Sequence, residues 1–209
     1  MTEISPTGQI FVISAPSGAG KTSLVNAILK RDAGIATCVS HTTRPIRSGE
    51  LDGENYHFVN SQQFMELVKN EGFVEHATVF GYEYGTSKAA LENTINNGSD
   101  VILEIDWQGA QQVRKTHTNC KSIFILPPNR SALRSRLDSR GKDSEQVIQS
   151  RLDEAASEMA MYKDFDYILV NDEFESALEN LLSIINSSRL ETNAQSARLG
   201  SLIKELTSN

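Results

Sequence analysis

The feature that most constrains this chain is APSGAGKT, residues 15–22, because of what stands on either side of it. Before it, residues 9–15 (QIFVISA) are apolar and β-branched, the mark of a buried strand that ends in a Pro/Ser/Gly turn. After it, residues 21–30 (KTSLVNAILK) put Leu24, Val25, Ile28 and Leu29 on one helical face. Strand, small-residue turn and Lys-Thr helix start make up the phosphate loop G-x-x-x-x-G-K-[ST], with Ala15 in the place of its first glycine. The backbone N–H groups of Ala15, Pro16's neighbours Ser17 and Gly18, Ala19 and Gly20 can turn inward on phosphate oxygens, and the helix N-terminus adds its dipole. Lys21 then carries positive charge to the β- and γ-phosphates, and the Thr22 hydroxyl binds Mg²⁺. Alanine at position 15 keeps the loop slim and is tolerated where φ is negative. The stretch therefore predicts a nucleoside triphosphate site at residues 15–22.

Further along, residues 101–106 (VILEID), 122–128 (SIFILPP) and 166–170 (DYILV) read as buried strands. Helical patterns follow them or lie between them: residues 61–70, 87–97 with Ser87 as cap and Gly98 as stop, 107–116, 129–139 and 172–188. Asp143 and Gln146 resemble a capping box at the start of a long helix reaching about Tyr162. Alternation of this kind predicts an α/β chain with a central parallel sheet in three layers. Two stretches break the alternation: the polar, turn-rich 39–87 and the helical pair 129–163. Such insertions tend to lie over strand C-termini, where ligands bind. The tail from Arg189 carries Leu190, Leu199, Leu202, Ile203 and Leu206 in a helical pattern. It is read as one extra helix that docks on the body or, in a homo-oligomer, on a partner.

Charge narrows the function. The formal net charge of -7 speaks against a nucleic-acid binder, which must neutralise phosphates. Yet residues 129–142 hold Arg130, Arg134, Arg136, Arg140 and Lys142 against Asp138 alone. A local cationic cluster on an acidic protein suits a small anionic ligand. Two cysteines, Cys38 and Cys120, cannot form a disulfide framework and are expected as buried thiols. The four histidines show no metal spacing. The first residues lack a secretory signal and no apolar run approaches the ~20 residues of a membrane span, so a cytoplasmic protein without membrane contact is expected. DWQG, residues 106–109, matches the D-x-x-G of GTPases, but no asparagine is followed by lysine, so their base-reading N-K-x-D is missing and that class is rejected.

Taken together, SAPSGAGKT, VSHTTRPIRSGELDGENYHFV, GFVEHATVFGYEYGTS, VILEIDWQGAQQV, IFILPP, RLDSRGKDSEQVIQSRL and VND resemble guanylate kinase, in particular the bacterial enzymes, from about Gln9 to Asn186. The resemblance implies a P-loop fold with a core (1–38, 88–128 and 164–209), a GMP-binding lobe (39–87) and a helical lid (129–163). It implies transfer of the γ-phosphoryl group of ATP to GMP, with Mg²⁺ brought by ATP. Ser40, Arg44, Arg47 and Tyr56 match positions that hold the GMP phosphate and neighbouring groups, and Tyr84 a further phosphate-contacting tyrosine. Glu75, Thr86 and Asp106 match positions that read guanine; Glu104 stands where some relatives have aspartate. Arg136, Arg140 and Arg151 match the arginines that close over the transferring phosphate beside Lys21, and Asn171 a contact on the adenine side of ATP.

The chemistry of these residue types agrees. Phosphoryl transfer asks for two phosphates held in line and their charge neutralised. TTRPIR sets two guanidinium groups three residues apart, suited to a phosphate dianion. Guanine offers N1–H and a 2-amino group that one carboxylate can accept together, whereas adenine would face it with a lone pair. The competing class is a guanylate-kinase-like module that binds phosphopeptides without catalysis. The loop lysine, its hydroxyl neighbour and the lid arginines argue against it.

Overall fold

The computed structural model describes residues 8–138 and 145–208. In chain order these form β1 (Ile10–Ser14), α1 (Lys21–Arg31), β2 (Ile35–Thr37), β3 (His41–Thr42), β4 (His57–Phe58), α2 (Ser61–Lys69), β5 (Phe73–Val79) and β6 (Tyr82–Ser87). There follow α3 (Lys88–Asn96), β7 (Asp100–Glu104), α4 (Trp107–Thr116), β8 (Lys121–Leu126), α5 (Arg130–Asp138) and α6 (Glu145–Met159). After a 3-10 turn (Ala160–Asp164) the chain ends in β9 (Tyr167–Val170), α7 (Phe174–Arg189), α8 (Thr192–Arg198) and α9 (Gly200–Thr207).

Two sheets organise the molecule. The larger has strand order β2-β7-β1-β8-β9, and all of its pairings are parallel. Its central strands are apolar through their middles, at residues 10–13, 101–103 and 123–126, because helices cover both faces. On one face Phe11, Ile13, Ile102 and Ile123 pack with Leu24, Val25 and Ile28 of α1 and with Leu178, Leu181 and Ile185 of α7. On the other, Val12, Val101 and Leu103 pack with Leu91 of α3 and Val113 of α4. From β1 the chain moves outward to β2 on one side and later returns to β8 on the other. The C-terminal end of β1 is thus the place where strand order reverses, and a crevice opens there in sheets of this type.

The smaller sheet has order β4-β3-β6-β5, with β5 and β6 an antiparallel hairpin. Phe80 and Gly81 at its tip have φ of 52° and 76°, the left-handed pair that a tight two-residue hairpin turn demands. Below it, α2 starts with a full capping box in which Asn60 and Gln63 satisfy each other's backbone N–H groups.

Most boundaries agree with the sequence reading, including Ser87 as the cap of α3 and the whole of α4. Three points differ. The strand β2 was not expected: it is three residues long and only Ile35 is buried, too little for a period to register. The long helix after residue 144 ends at Met159 and tightens into a 3-10 turn before Tyr162. The tail is two helices, broken at Leu199, and not one. The capping box at Asp143 lies outside the described residues. Both cysteines are free; Cys120 is buried, while Cys38 is half-buried instead of buried. Arg189 ties the end of α7 to the core through Asp32 (2.6 Å) and Asp100 (2.7 Å). Among the described residues no helix is long and apolar enough to cross a membrane.

Candidate active site

A cavity of about 410 Å³ lies at the C-terminal end of β1, between the loop after that strand, the end of β7 and the hairpin of the smaller sheet. The loop is shaped by its glycines. Gly18 and Gly20 have φ of 90° and 92°, and a Cβ on Gly20 would come within 2.3 Å of the Asn171 side-chain amide. Ala15 has no such backbone: among the described residues the left-handed non-glycines are Glu71 and Phe80. The alanine therefore replaces a glycine whose conformational freedom this loop does not use.

Residues behind the loop hold it in place. Asn171, 4% exposed, donates its amide to the Ala19 carbonyl at 2.7 Å. Arg136 on α5 donates to the carbonyls of Asn171 (3.0 Å) and Ala19 (3.4 Å). In front, Lys21 reaches across to the Ile105 carbonyl at 3.2 Å, and the Thr22 hydroxyl donates to the Glu104 carboxylate. The end of β7 is thereby joined to the first turn of α1.

Across the cavity the smaller sheet presents a cationic and aromatic wall. Arg44, only 6% exposed, makes a two-pronged pair with Glu50 at 2.7 and 3.0 Å and lies 5.4 Å from the Tyr56 ring. The same Glu50 carboxylate accepts the Arg47 backbone N–H at 2.8 Å, so one acid shapes the whole TTRPIR turn. Tyr56 and Tyr84 meet edge to face at 5.8 Å. Burial pushes the Tyr56 phenol up, aided by Tyr84 and Glu104.

Deeper in stands Glu75, 3% exposed. Its carboxylate accepts the Thr86 hydroxyl at 2.6 Å, and Thr86 in turn lies 3.3 Å from Ser40 Oγ. Burial pushes this carboxyl up to about 7; the Thr86 hydrogen bond pulls the other way, and Asp106 adds to the rise. Asp106 caps α4 by accepting the Gly109 N–H at 2.9 Å. A Cβ on Gly109 would fall 2.5 Å from Glu75 Oε2, so the DWQG glycine makes room for the buried acid.

Of the residues singled out from the sequence, Ala15, Pro16, Ser17, Gly18, Gly20, Lys21, Thr22, Ser40, Arg44, Arg47, Tyr56, Glu75, Tyr84, Glu104, Asp106 and Arg151 line this one cavity. Ala19, Arg136 and Asn171 form the rear support of the loop, and Thr86 sits one hydrogen bond behind Glu75. Arg140 lies outside the described residues. The sequence reading missed two acids. Glu50 acts through a tertiary pairing that nothing in the local pattern announces. Glu158 also lines the cavity, and its spacing of seven from Arg151 on one helix was a usable sign that both face the same way.

A parallel sheet with a phosphate loop after its central strand, at the point where strand order reverses, defines a P-loop nucleotide-binding protein. The family model described as guanylate kinase matches residues 7–188. The guanylate kinase of Hahella chejuensis is 52% identical over 202 residues, covering 97% of each chain. That of Saccharophagus degradans is 52% identical over 205 residues, 98% of this chain and all of its own. Among solved structures, the guanylate kinase from Anaplasma phagocytophilum superposes with a TM-score of 0.78 at 32% identity, covering 98% of this chain and 97% of its own. The chain belongs to the guanylate kinase family, enzymes that phosphorylate GMP with ATP.

Proposed function

We propose that this chain transfers the γ-phosphoryl group of ATP to GMP, giving ADP and GDP. The observation that carries the reading is that one cavity holds both the phosphate loop and, opposite it, a buried carboxylate beside two arginines and two tyrosines. ATP lies along residues 15–22, with Asn171 and Arg136 keeping the loop in shape from behind. The GMP phosphate and the groups beside it meet Ser40, Arg44, Arg47, Tyr56 and Tyr84; the guanine edge meets Glu75, Thr86 and Asp106. A buried site that pairs with N1–H and the 2-amino group rejects a base lacking them, because its own acceptor is then left unsatisfied. The GMP phosphate is itself an anionic nucleophile, so no strong base is needed. Lys21 and Arg151, with Arg136 and Arg140, neutralise charge on the group in transit. The Thr22 hydroxyl and the Glu104 carboxylate beside it are hard oxygen donors, the type that would hold the Mg²⁺ brought by ATP. That ion supplies charge neutralisation on the phosphate oxygens.

In the same reading residues 39–87 are the GMP-binding lobe and 129–163 the lid. They close on a core made of 1–38, 88–128 and 164–209, and closure excludes water. The enzyme works in the cytoplasm on two small anions, without nucleic acid or membrane, and its exposed tail is open to homo-oligomer contacts. Nucleoside diphosphate formation from Mg-ATP, with GMP, AMP, CMP, UMP and dTMP offered singly, tests the proposal. Turnover confined to GMP is expected. Turnover with another acceptor would overturn the role of Glu75, and no turnover by folded protein would favour a phosphopeptide-binding module.

A further inference from the structure

Glu158 stands on α6 two helical turns after Arg151, in the wall of the same cavity. Its carboxylate faces the backbone N–H of Ser17 and lies in the field of the Lys21 ammonium. The groups around it come from every side: Lys21 from α1, Asp106 from the start of α4, and Arg151 and Glu154 from α6 itself, with Glu104 and Glu75 on the farther walls. An inward-turned loop amide is an anion seat, and here a side chain of the protein sits beside it.

We propose that Glu158 is a proton-carrying member of the triphosphate site: above neutral pH it stands as the anion beside the loop at Ser17 in the free protein, and it takes up a proton from solvent when ATP binds. The proposal rests on the reading of residues 15–22 as the ATP loop and adds a residue that this reading does not use.

The charge balance around the loop leads there. A polyphosphate brings several negative charges to a loop whose edge already holds a carboxylate, with Asp106 and Glu154 nearby. Like charges this close in a half-buried site are relieved when one of them binds a proton. Glu158 is the group ready to do so, since burial, with the Glu154 charge, pushes it up to about 7 even before any phosphate arrives. Lys21 opposes that rise, but Lys21 is the residue whose charge the phosphates engage. Once neutral, Glu158 turns from acceptor to donor, and its O–H can be given to a phosphate oxygen. In the ionised form it could only repel.

The test is calorimetric titration of the full-length protein with Mg-ATP at pH 8, without GMP, in buffers of differing ionisation enthalpy. Uptake of about one proton per ATP bound is expected, and the Kd for Mg-ATP should weaken about tenfold per pH unit above 7. Glu158→Gln should bind Mg-ATP with no proton uptake and a level pH profile, while Glu75→Gln, altered at the acceptor end, should keep the uptake. Binding by the wild type without proton uptake overturns the proposal, as does uptake that persists in Glu158→Gln. The wild-type proton count decides the matter alone should that variant misfold. Absence of any Mg-ATP binding would overturn the reading of the loop itself, and this assignment with it.

Discussion

Replacing Glu75 by glutamine should make the protein more stable at pH 8 and at the same time a worse GMP kinase. The folded chain holds this carboxyl at about 7, from an ordinary value of 4.5, because the side chain is 3% exposed. An unfolded chain releases the proton near the ordinary value. Stability tied to the protonated form is therefore fully present below about pH 4.5 and is lost as pH rises through about 7. With about 1.4 kcal/mol per pKa unit, the cost of keeping Glu75 charged and folded at pH 8 is about 3 kcal/mol, and less than about 1 kcal/mol remains at pH 5. Glutamine has the same shape, retains an oxygen to accept the Thr86 hydroxyl, and fits the space that Gly109 leaves. Chemical denaturation of both proteins at pH 8 and pH 5 reads the difference. For a chain of this length a gap of that size also raises Tm by roughly 6–12 °C at the higher pH. In the same variant kcat/KM for GMP should fall by about a hundredfold or more, since one of the two acceptors for guanine has become a donor. A variant no more stable at pH 8, or a gap equal at both pH values, would refute the view that burial of an unpaired carboxylate is tolerated here for the sake of substrate.

Two further substitutions probe the walls of the site. Gly20→Ala, at φ 92° and with Asn171 in its way, should cost about 2 kcal/mol or more in denaturant titration and weaken Mg-ATP binding, whereas Ala15→Gly should leave both near the wild-type values. Glu50→Gln removes the charge that aims Arg44 while keeping the shape; KM for GMP should rise about three- to tenfold with KM for ATP unchanged, alongside a stability loss of about 1–2 kcal/mol in the same titration.

The parts of this fold that could be read from the chain are those where a short stretch suffices to set a period or a cap. The loop with β1 and α1 is one, and α4, whose bounds are read to the residue, is another. Where tertiary placement decides, local pattern is silent. The strand β2 exists because Ile35, Ala36 and Thr37 lie alongside β7, not because three residues specify a strand. The site follows the same division. TTRPIR announces its arginines, but not that Glu50 gathers them. Arg136 and Asn171 read as ligand contacts, and nothing in the pattern shows that both also donate hydrogen bonds at the rear of the loop, a position set by how α5 and the end of β9 come together. Glu158 is easily passed over for a third reason, since only its spacing from Arg151 hints at a shared face. A glutamate on an amphipathic helix reads as solvated surface until the helix is seen lying over the loop.

Glu75 and Glu158 share an unusual condition, a carboxyl raised to about 7 by burial, in the lining of one cavity. Their ligands ask opposite things of them. Guanine brings two N–H donors and favours the carboxylate, so GMP binding releases a proton from Glu75 and tightens as pH rises towards about 7, levelling above it. The triphosphate brings negative charge and favours the acid, so ATP binding takes up a proton at Glu158 and weakens as pH rises above about 7, being level below it. Release and uptake cancel only near pH 7, so a complex holding both substrates assembles most tightly there and loses affinity on either side. The prediction is a specific one: opposite pH slopes for the two binary dissociation constants, measured separately, the GMP constant changing below about 7 and the ATP constant above it, with a minimum near pH 7 in their product. Equal slopes of the same sign would mean that the two acids do not divide the work in this way.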